Sequence, residues 1–294
     1  MRLLVIGQTV EDHYIKDGKE ITAPGGIYYA ASALKQLKET DDEIILCTSI
    51  EEKNYPLYAD VYNSYDRRYL QPVSSVPRVW LTIDKAKERS ERYHNITASL
   101  KTDFDLSVFD GILLNMVTGF DISLQQLKDI RCRFKGLIYL DVHTLSRGLD
   151  ENNERNFRII PHFEQWAGCV DIIQVNTNEL YTLSTIKEEG QIVKWLFALG
   201  VKSVIITLDE NGSKYFFNDR NEIASVFQSA IKIDAKNKIG CGDVFGASFF
   251  YKYLKTMKLY EALKYANTSA GCVAAYENVS MMKNLKYDID RQLN

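Results

Sequence analysis

Short apolar runs alternate along the chain with longer amphipathic segments. The runs that predict strands are Leu3–Ile6, Ile44–Cys47, Gly111–Asn115, Leu137–Asp141, Asp171–Val175 and Ser203–Leu208. Their nearly continuous apolar character is typical of strands that are buried on both faces of a sheet. The segments that predict helices are Gly26–Lys38, Leu124–Phe134, Arg155–Ala167 and Gly190–Leu199. Because strands and helices alternate, the pattern predicts a three-layer α/β/α fold with a mainly parallel central sheet.

Two segments interrupt this alternation, near residues 12–23 and 78–96. Both contain residues that are typical of strands, but both are too polar for the centre of a sheet. The second segment has two extended arms around a highly charged turn. The two arms of the second segment predict a small β-sheet that projects from the main body. It is either a lid over a site or a pair of surface hairpins without a function.

The pattern changes again in the C-terminal third of the chain. The stretches Lys214–Phe217 and Ile223–Val226 predict an antiparallel hairpin. A glycine-rich turn follows, and it leads into a strongly apolar predicted helix, Val244–Lys255. A second helix is predicted over Tyr260–Glu277.

Composition and charge narrow the class of protein. Of the 294 residues, 46% are hydrophobic and 26% are charged, which is ordinary for a globular protein. A net charge of −3 argues against a nucleic-acid partner, which would require a basic surface. No repeat, low-complexity tract or linker divides the chain, so residues 1–294 are predicted to form a single domain.

Cysteine usage and the longest apolar runs bear on the compartment. The five cysteines are scattered and form no C-x-x-C pair, which favours reduced thiols over a disulfide framework or a zinc site. The apolar run Leu3–Ile6 is too short for a signal peptide, and no stretch has the length of a membrane span. The sequence therefore predicts a cytoplasmic protein without a membrane partner.

The glycine-rich turn carries the strongest candidate chemistry. Gly240, Cys241, Gly242 and Asp243 follow one another at the start of a predicted helix. Backbone N–H groups there lack intrahelical partners, and the helix dipole adds partial positive charge, so the first three residues suit an anion hole for a transferring phosphoryl group. Asp243 is placed to accept the proton of an attacking hydroxyl. The alternative for Asp243 is an ordinary helix cap.

Two other phosphate-binding patterns fit this turn poorly. Gly240, Gly242 and Gly246 resemble a dinucleotide-binding fingerprint, but their spacing differs and no apolar strand lies directly upstream. Asp243 would also face the pyrophosphate of such a ligand. The chain contains no G-x-x-x-x-G-K-[ST] sequence, so it is not a P-loop protein.

The segment GCGDVFGASF, residues 240–249, resembles the G-A-G-D signature of the ribokinase-like (pfkB-type) carbohydrate kinase family. Further motifs occur in the family's order over almost the whole chain. They are VIGQTVED, which ends at Asp12, then PGG before an Ala-rich helix, N-T-N-E, T-L-D-E-N-G and YANTSAG. The matching positions are Asp12, Gly25, Gly26, Asn176, Glu179, Thr207, Gly212 and Asn267. The resemblance therefore implies a ribokinase-like fold with a small β lid.

The resemblance also implies roles for these residues. Asp12 would hold substrate hydroxyls, and the backbone at Gly25 and Gly26 would approach the sugar. Asn176 and Glu179 would organise Mg²⁺, largely through water. Thr207, Gly212 and Asn267 would lie beside the nucleotide. From the residues alone, Asn176 and Glu179 equally suit an ordinary helix start, and Asn267 suits a buried packing residue.

Two departures from the family pattern concern charge. Asn237, Lys238 and Ile239 precede Gly240, where the family usually has D-T-x, which puts activation by a monovalent cation in doubt. Asp209 replaces a usual glycine, and an extra carboxylate near ATP phosphates is unfavourable unless it points away or binds metal.

A third departure concerns the acceptor. Tyr28 and Tyr29 follow the G-G pair, where typical ribokinases have small polar residues, and the opening segment is more similar to the inositol-kinase-like branch. Aromatic rings there would narrow the pocket, although such residues are more often part of a core.

Together with the glycine-rich turn, the resemblance implies an ATP-dependent phosphotransferase that uses Mg²⁺ and acts on a hydroxyl of a small sugar or polyol. A homodimer formed through the lid is a further expectation. The alternative is a non-catalytic ligand-binding or regulatory protein on the same scaffold.

Overall fold

The structure is a computed structural model, and it describes residues 1–16, 18–82, 90–96, 99–220 and 222–293. The strands are β1 Arg2–Ile6, β2 Thr9–Lys16, β3 Lys19–Gly26, β4 Glu43–Ile50, β5 Leu70–Pro72, β6 Arg78–Thr82, β7 Ser90–His94, β8 Gly111–Asn115, β9 Leu137–Asp141, β10 Arg147–Leu149, β11 Arg155–Phe157, β12 Ile172–Asn176, β13 Ser203–Thr207, β14 Ser213–Asp219 and β15 Glu222–Gln228. The helices are α1 Tyr28–Leu37, α2 Ala59–Tyr62, α3 Leu124–Arg133, α4 Phe163–Ala167, α5 Thr177–Leu180, α6 Glu189–Ala198, α7 Cys241–Thr256, α8 Leu259–Ala274 and α9 Leu285–Leu293. Short 3₁₀ turns cover Glu52–Leu57, Arg67–Tyr69, His143–Ser146, Asp209–Asn211 and Val279–Asn284.

The main sheet has nine strands in the described part of the chain, in the order β15-β14-β13-β12-β9-β8-β1-β4-β5. From β13 to β5 all neighbouring strands are parallel, and β14 and β15 continue the sheet as an antiparallel hairpin. The predicted mainly parallel sheet and the predicted hairpin are therefore confirmed.

Helices cover both faces of this sheet because its central strands are apolar on both sides. Leu3 and Val5 on β1 pack in the core that contains α1, α7, α8 and α9. The alternate residues Leu4 and Ile6 pack in a second core with α3, α4 and α6. The three-layer α/β/α prediction is confirmed.

A second sheet, in the order β3-β2-β6-β7, lies at the edge where the parallel strands end. Strand β2 pairs antiparallel with β3 and parallel with β6, and β6 pairs antiparallel with β7. The two arms of the segment 78–96 pair with each other, as predicted, and the segment near 12–23 joins the same sheet. Residues 17 and 83–89 lie outside the described residues. We call this second sheet the lid sheet.

The predicted helix Arg155–Ala167 is wrong over most of its length. Its first residues form β11, and only Phe163–Ala167 is helical. Pro161 explains the difference, because proline disfavours a helical conformation at the residue before it and has no N–H to donate. Arg155 is instead buried, and its guanidinium donates to the carbonyls of Thr118 and Arg147.

Among the described residues, no helix combines the length and the apolar character that a bilayer crossing requires.

Candidate active site

A cavity lies between the lid sheet, the carboxyl edge of the main sheet and the start of α7, and we call it the central cavity. Three acidic side chains line it, namely Asp12, Glu91 and Asp243, together with the backbone at Gly240. Its other lining residues are Val10, Tyr29, Val79, Leu81, Tyr93, Val117, His143 and Ile239. The fold thus brings the predicted base and the predicted substrate-binding aspartate to one place.

The glycine turn is shaped by its contacts. Gly240 is the N-cap of α7 and has a φ of 79°, which is left-handed. A Cβ at this position would lie 2.2 Å from Cδ1 of Tyr29, so a side chain fits neither the backbone conformation nor the space. Nε2 of Gln174 donates to the carbonyl oxygen of Gly242 over 3.1 Å, and the Tyr139 hydroxyl donates to Oε1 of Gln174. Buried side chains of the main sheet therefore hold the first turn of α7 in place.

Asp243 is the third residue of α7, so it is not the N-cap residue itself. It is buried with 7% of its surface exposed. Nδ2 of Asn115 donates a hydrogen bond of 2.8 Å to Oδ1 of Asp243. Because Asn115 is the last residue of β8, this bond ties the carboxylate to the carboxyl edge of the main sheet.

Asp12 lies on β2, and its carboxylate covers the backbone of the neighbouring strand β3. A Cβ at Gly25 would lie 2.2 Å from Oδ1 of Asp12, so a larger residue there would displace the carboxylate. Gly26 follows and ends β3 directly before α1. Of the two tyrosines after this pair, Tyr29 lines the central cavity. Tyr28 packs in the core and donates to Asp60.

The lid sheet contributes Glu91 and Tyr93 to the cavity from β7. Glu91 is almost completely buried. The Tyr93 hydroxyl donates to the carbonyl of Val117 over 3.2 Å, and the guanidinium of Arg155 lies 4.7 Å from the Tyr93 ring centroid. These two contacts hold β7 against the main body.

Asn176 and Glu179 form a capping box at the start of α5. The backbone N–H of Glu179 donates to Oδ1 of Asn176, and the backbone N–H of Asn176 donates to Oε2 of Glu179, both over 2.8 Å. The contacts of this pair are therefore those of an ordinary helix start.

Asp141 is a buried acid that sequence reasoning did not single out. It is the last residue of β9 and is 3% exposed. Burial, reinforced by the nearby carboxylates of Asp243 and Glu179, raises the pKa of Asp141 well above its usual range. In the described part of the chain, Oδ2 of Asp141 and Oδ1 of Asn115 are buried and receive no hydrogen bond.

These two oxygens fit a divalent cation, since carboxylate and amide oxygens are ligands that Mg²⁺ accepts. Within the described residues, no group of three or more His, Cys, Asp and Glu side chains could enclose a metal by itself. Mg²⁺ does not require such a cage, because it usually keeps water and substrate phosphate among its ligands.

The predicted nucleotide-binding residues lie further along the same edge. Thr207 ends β13, and Gly212 precedes β14. Nδ2 of Asn267 donates to Oγ of Ser213 over 2.8 Å and to the carbonyl of Leu263 over 2.9 Å. The structure thus brings Asn267 beside the Gly212 turn, and its side-chain amide also bridges α8 and β14.

The missed residues share a signal that the sequence does contain. Asn115 and Asp141 are polar residues at the ends of predicted apolar strands, and ligands of open α/β sheets bind at such carboxyl ends. Glu91 has a weaker signal. Only the strand register, with Glu91 opposite Leu81 and Tyr93 opposite Val79, shows that these residues share a face of the lid sheet.

Comparison with known proteins bears on this arrangement. No curated protein sequence matches the chain significantly. Residues 150–284 match the model described as "pfkB family carbohydrate kinase".

Solved structures resemble the chain over nearly its whole length. A pyrophosphate-dependent kinase of the ribokinase family, complexed with a pyrophosphate analog and myo-inositol, has a TM-score of 0.75 at 16% identity, with 97% of this chain and 99% of that chain covered. Ribokinase from Thermotoga maritima has a TM-score of 0.75 at 19% identity, with 99% and 98% covered. Arabidopsis thaliana ribokinase, complexed with ribose and ATP, has a TM-score of 0.75 at 19% identity, with 98% of each chain covered.

The family resemblance that the motifs indicated is therefore confirmed. Residues 150–284 match the pfkB family model, and the chain as a whole has the ribokinase-like fold.

Proposed function

We propose that residues 1–294 act as one kinase domain, which transfers a phosphoryl group to a hydroxyl of a small sugar or polyol. The observation that carries this proposal is the central cavity, where Asp243 at the first turn of α7 and Asp12 on the lid sheet line the same small space. A carboxylate next to a helix start is productive when a neutral hydroxyl, rather than an anion, meets it there.

The proposed reaction follows from this arrangement. Asp243 accepts the proton of the acceptor hydroxyl while the hydroxyl oxygen forms a bond to the terminal phosphorus of ATP. The bond between that phosphorus and the bridging oxygen breaks, and ADP leaves with the electron pair. Backbone N–H groups of Gly240, Cys241 and Gly242 stabilise the negative charge on the transferring group. Mg²⁺ bound with the donor would neutralise phosphate charge.

We propose further that the acceptor is uncharged. The acidic residues of the central cavity are Asp12, Glu91 and Asp243, and among the described lining residues there is no Lys or Arg. A sugar acid or sugar phosphate would be repelled, whereas adjacent hydroxyls can donate to a carboxylate. The neighbours described with ribose and with myo-inositol support a polyol of this size.

For the donor we propose ATP, bound along the edge that carries Thr207, Gly212 and Asn267. The neighbour described with ATP supports this choice. A neighbour described as pyrophosphate-dependent makes inorganic pyrophosphate the alternative donor.

The test is a matrix of donors and acceptors. ATP and pyrophosphate are each combined with Mg²⁺ and a panel of pentoses, hexoses, inositols, nucleosides and sugar phosphates, and the products are identified by ³¹P NMR. We expect phosphate on a neutral polyol, with at least a hundredfold loss for Asp243→Asn, the usual minimum for loss of a general base. Acceptor binding without turnover in the wild type would favour the non-catalytic alternative. Product formation with pyrophosphate but not with ATP would show that pyrophosphate is the donor.

A further inference from the structure

Two neighbouring strands end in side chains that each have one buried oxygen without a hydrogen-bond donor. Asn115 on β8 and Asp141 on β9 are register partners in a parallel pair, so their side chains lie on the same face of the sheet. They are 1% and 3% exposed. Within the described residues, neither Oδ1 of Asn115 nor Oδ2 of Asp141 receives a hydrogen bond. Such groups are costly to bury, so this pair requires an explanation.

The hydrogen bond from Asn115 to Asp243 fixes which amide atom is available. Nδ2 must donate to the Asp243 carboxylate, since the amide oxygen would be repelled by it. The Asn115 oxygen is therefore held as an acceptor at the end of β8. This amide oxygen and the carboxylate oxygen of Asp141 therefore each need a partner, which is either a hydrogen-bond donor or a cation.

Local charge favours a cation over a neutral donor. Asp141 lies close enough to Asp243 and Glu179 for both carboxylates to act on it electrostatically. Among the described Lys, Arg and His side chains, none forms an ion pair with Asp141 or Asp243. The backbone N–H of His143 donates to Asp141, but among the described residues no counter-charge accompanies this hydrogen bond.

We propose that Oδ2 of Asp141 and Oδ1 of Asn115 are direct ligands of the divalent cation at this site. This inference rests on the proposed function only in that the cation would accompany a phosphoryl donor. It differs from the expectation from the motifs, in which Asn176 and Glu179 organise the ion through water. The capping box supports this difference, because Oδ1 of Asn176 and Oε2 of Glu179 already accept hydrogen bonds from backbone N–H groups.

The first test measures metal binding without donor, acceptor or turnover. Mn²⁺ is titrated into the full chain, and the bound ion is followed by electron paramagnetic resonance. We expect saturable binding to the wild type and binding weakened by at least about tenfold in Asp141→Asn, because even outer partners of a metal typically contribute that much. Asp129→Asn, which removes an exposed carboxylate from α3, is the matched control and should bind like the wild type.

A second variant gives an effect of opposite sign. Asn115→Asp keeps the oxygen and adds a negative charge, so it should tighten Mn²⁺ binding. In the absence of metal, Asp141→Asn should raise the melting temperature and Asn115→Asp should lower it, since the first relieves repulsion among carboxylates and the second increases it.

The outcomes separate this inference from the proposed function. Unchanged Mn²⁺ affinity in Asp141→Asn, or weaker binding in Asn115→Asp, would overturn the metal site even if the protein transfers phosphate. A lower melting temperature of metal-free Asp141→Asn would also overturn it, because the carboxylate would then be held by the protein. Conversely, the expected Mn²⁺ results in a protein that phosphorylates no acceptor would support the site while the proposed function fails.

Discussion

Nδ2 of Asn115 donates to Oδ1 of Asp243 over 2.8 Å, and this bond joins the end of β8 to the first turn of α7. Both residues are buried, and they are 128 positions apart in the sequence. The bond fixes Oδ1 of Asp243, and the position of α7 then sets the direction of Oδ2. Asn115 is therefore a positioning residue for the proposed base, in addition to its proposed contact with metal.

We expect Asn115→Ala to lower kcat by roughly ten- to a hundredfold, because a hydrogen bond to a charged group contributes about 1.5–3 kcal/mol. Asn115→Asp should lose at least as much, since it removes the amide donor and places a like charge beside Asp243. Wild-type kcat in both variants would show that the bond has only a structural effect.

The second prediction concerns Asp12. We expect Asp12→Ala to weaken acceptor binding by roughly ten- to a hundredfold and to leave donor binding unchanged, because charge-assisted hydrogen bonds to hydroxyls are lost. Isothermal titration of each ligand into the variant measures the two effects separately. Equal weakening of donor and acceptor would indicate that Asp12 acts on the lid sheet as a whole.

The third prediction concerns Glu91, the lid carboxylate. Glu91→Gln should lower kcat/KM for the neutral polyol by about tenfold. It should also reduce discrimination against the corresponding sugar acid or sugar phosphate, since one repulsive charge is removed. Glu154→Gln is the matched control, because Glu154 is exposed and pairs with Arg92, next to Glu91 on β7. If the ratio of kcat/KM for the neutral acceptor to kcat/KM for the anionic acceptor is the same in Glu91→Gln and in the control, Glu91 does not select the acceptor.

Local patterns were sufficient for the main sheet. Strands β8 and β9 have the predicted bounds Gly111–Asn115 and Leu137–Asp141, because continuous apolar runs end where the backbone leaves the core. The glycine turn was likewise predicted from local sequence, since the chemistry of Gly240 and Asp243 depends on the helix that follows them.

The lid sheet and the burial of Arg155 could not be predicted in this way, because both depend on contacts between distant segments of the chain. The pairing of β2 with β6 gives the lid sheet its face toward the cavity, and a period-two pattern does not specify which of two polar faces turns inward. Arg155 illustrates the same limit, because its charge is typical of an exposed helix. In the structure its guanidinium lies between carbonyl oxygens and the Tyr93 ring. Tertiary contacts there override the helical pattern.

The fourth prediction concerns stability rather than catalysis. Asp42 is buried at the other end of the sheet, where the Tyr251 hydroxyl donates to it over 2.6 Å and Nζ of Lys255 over 3.1 Å. Burial acts to raise the pKa of Asp42, but these hydrogen bonds outweigh it and hold the pKa below its usual value of 3.8. The carboxylate therefore contributes stability above pH 3.8 that is lost as the pH falls through the lower folded-state pKa.

We expect Asp42→Asn to lower the free energy of unfolding by roughly 1.5–3 kcal/mol at neutral pH. The variant should also lose less stability than the wild type on acidification below pH 3.8. Urea denaturation at several pH values measures both effects. The exposed neighbour Asp41 gives the control Asp41→Asn, and an equal effect of the two substitutions would contradict the assigned contacts.

The last prediction concerns the stretch before the glycine turn. Oδ1 of Asn237 accepts from the backbone N–H of Ile239 over 2.9 Å, so this oxygen is already committed to the turn. Ile239 supplies no side-chain oxygen. A monovalent cation requires several oxygens that converge on one point, and this stretch is poor in them. We therefore expect activity to be unchanged when potassium is replaced by sodium or by a bulky organic cation at constant ionic strength.

Two explanations of an activity that does not depend on potassium differ in the role they give to Lys238. Its ammonium could replace the ion and help the anion hole, or it could lie in solvent. In the structure its side chain is 71% exposed, and Nζ lies 3.6 Å from a carboxylate oxygen of Glu210, which is itself exposed. Exposed ion pairs contribute little, so Lys238→Met should change kcat by less than about twofold, with Lys236→Met as the control. A larger loss confined to Lys238→Met would assign the ammonium to the anion hole. A severalfold stimulation by potassium would instead show that backbone carbonyls build a cation site without either side chain.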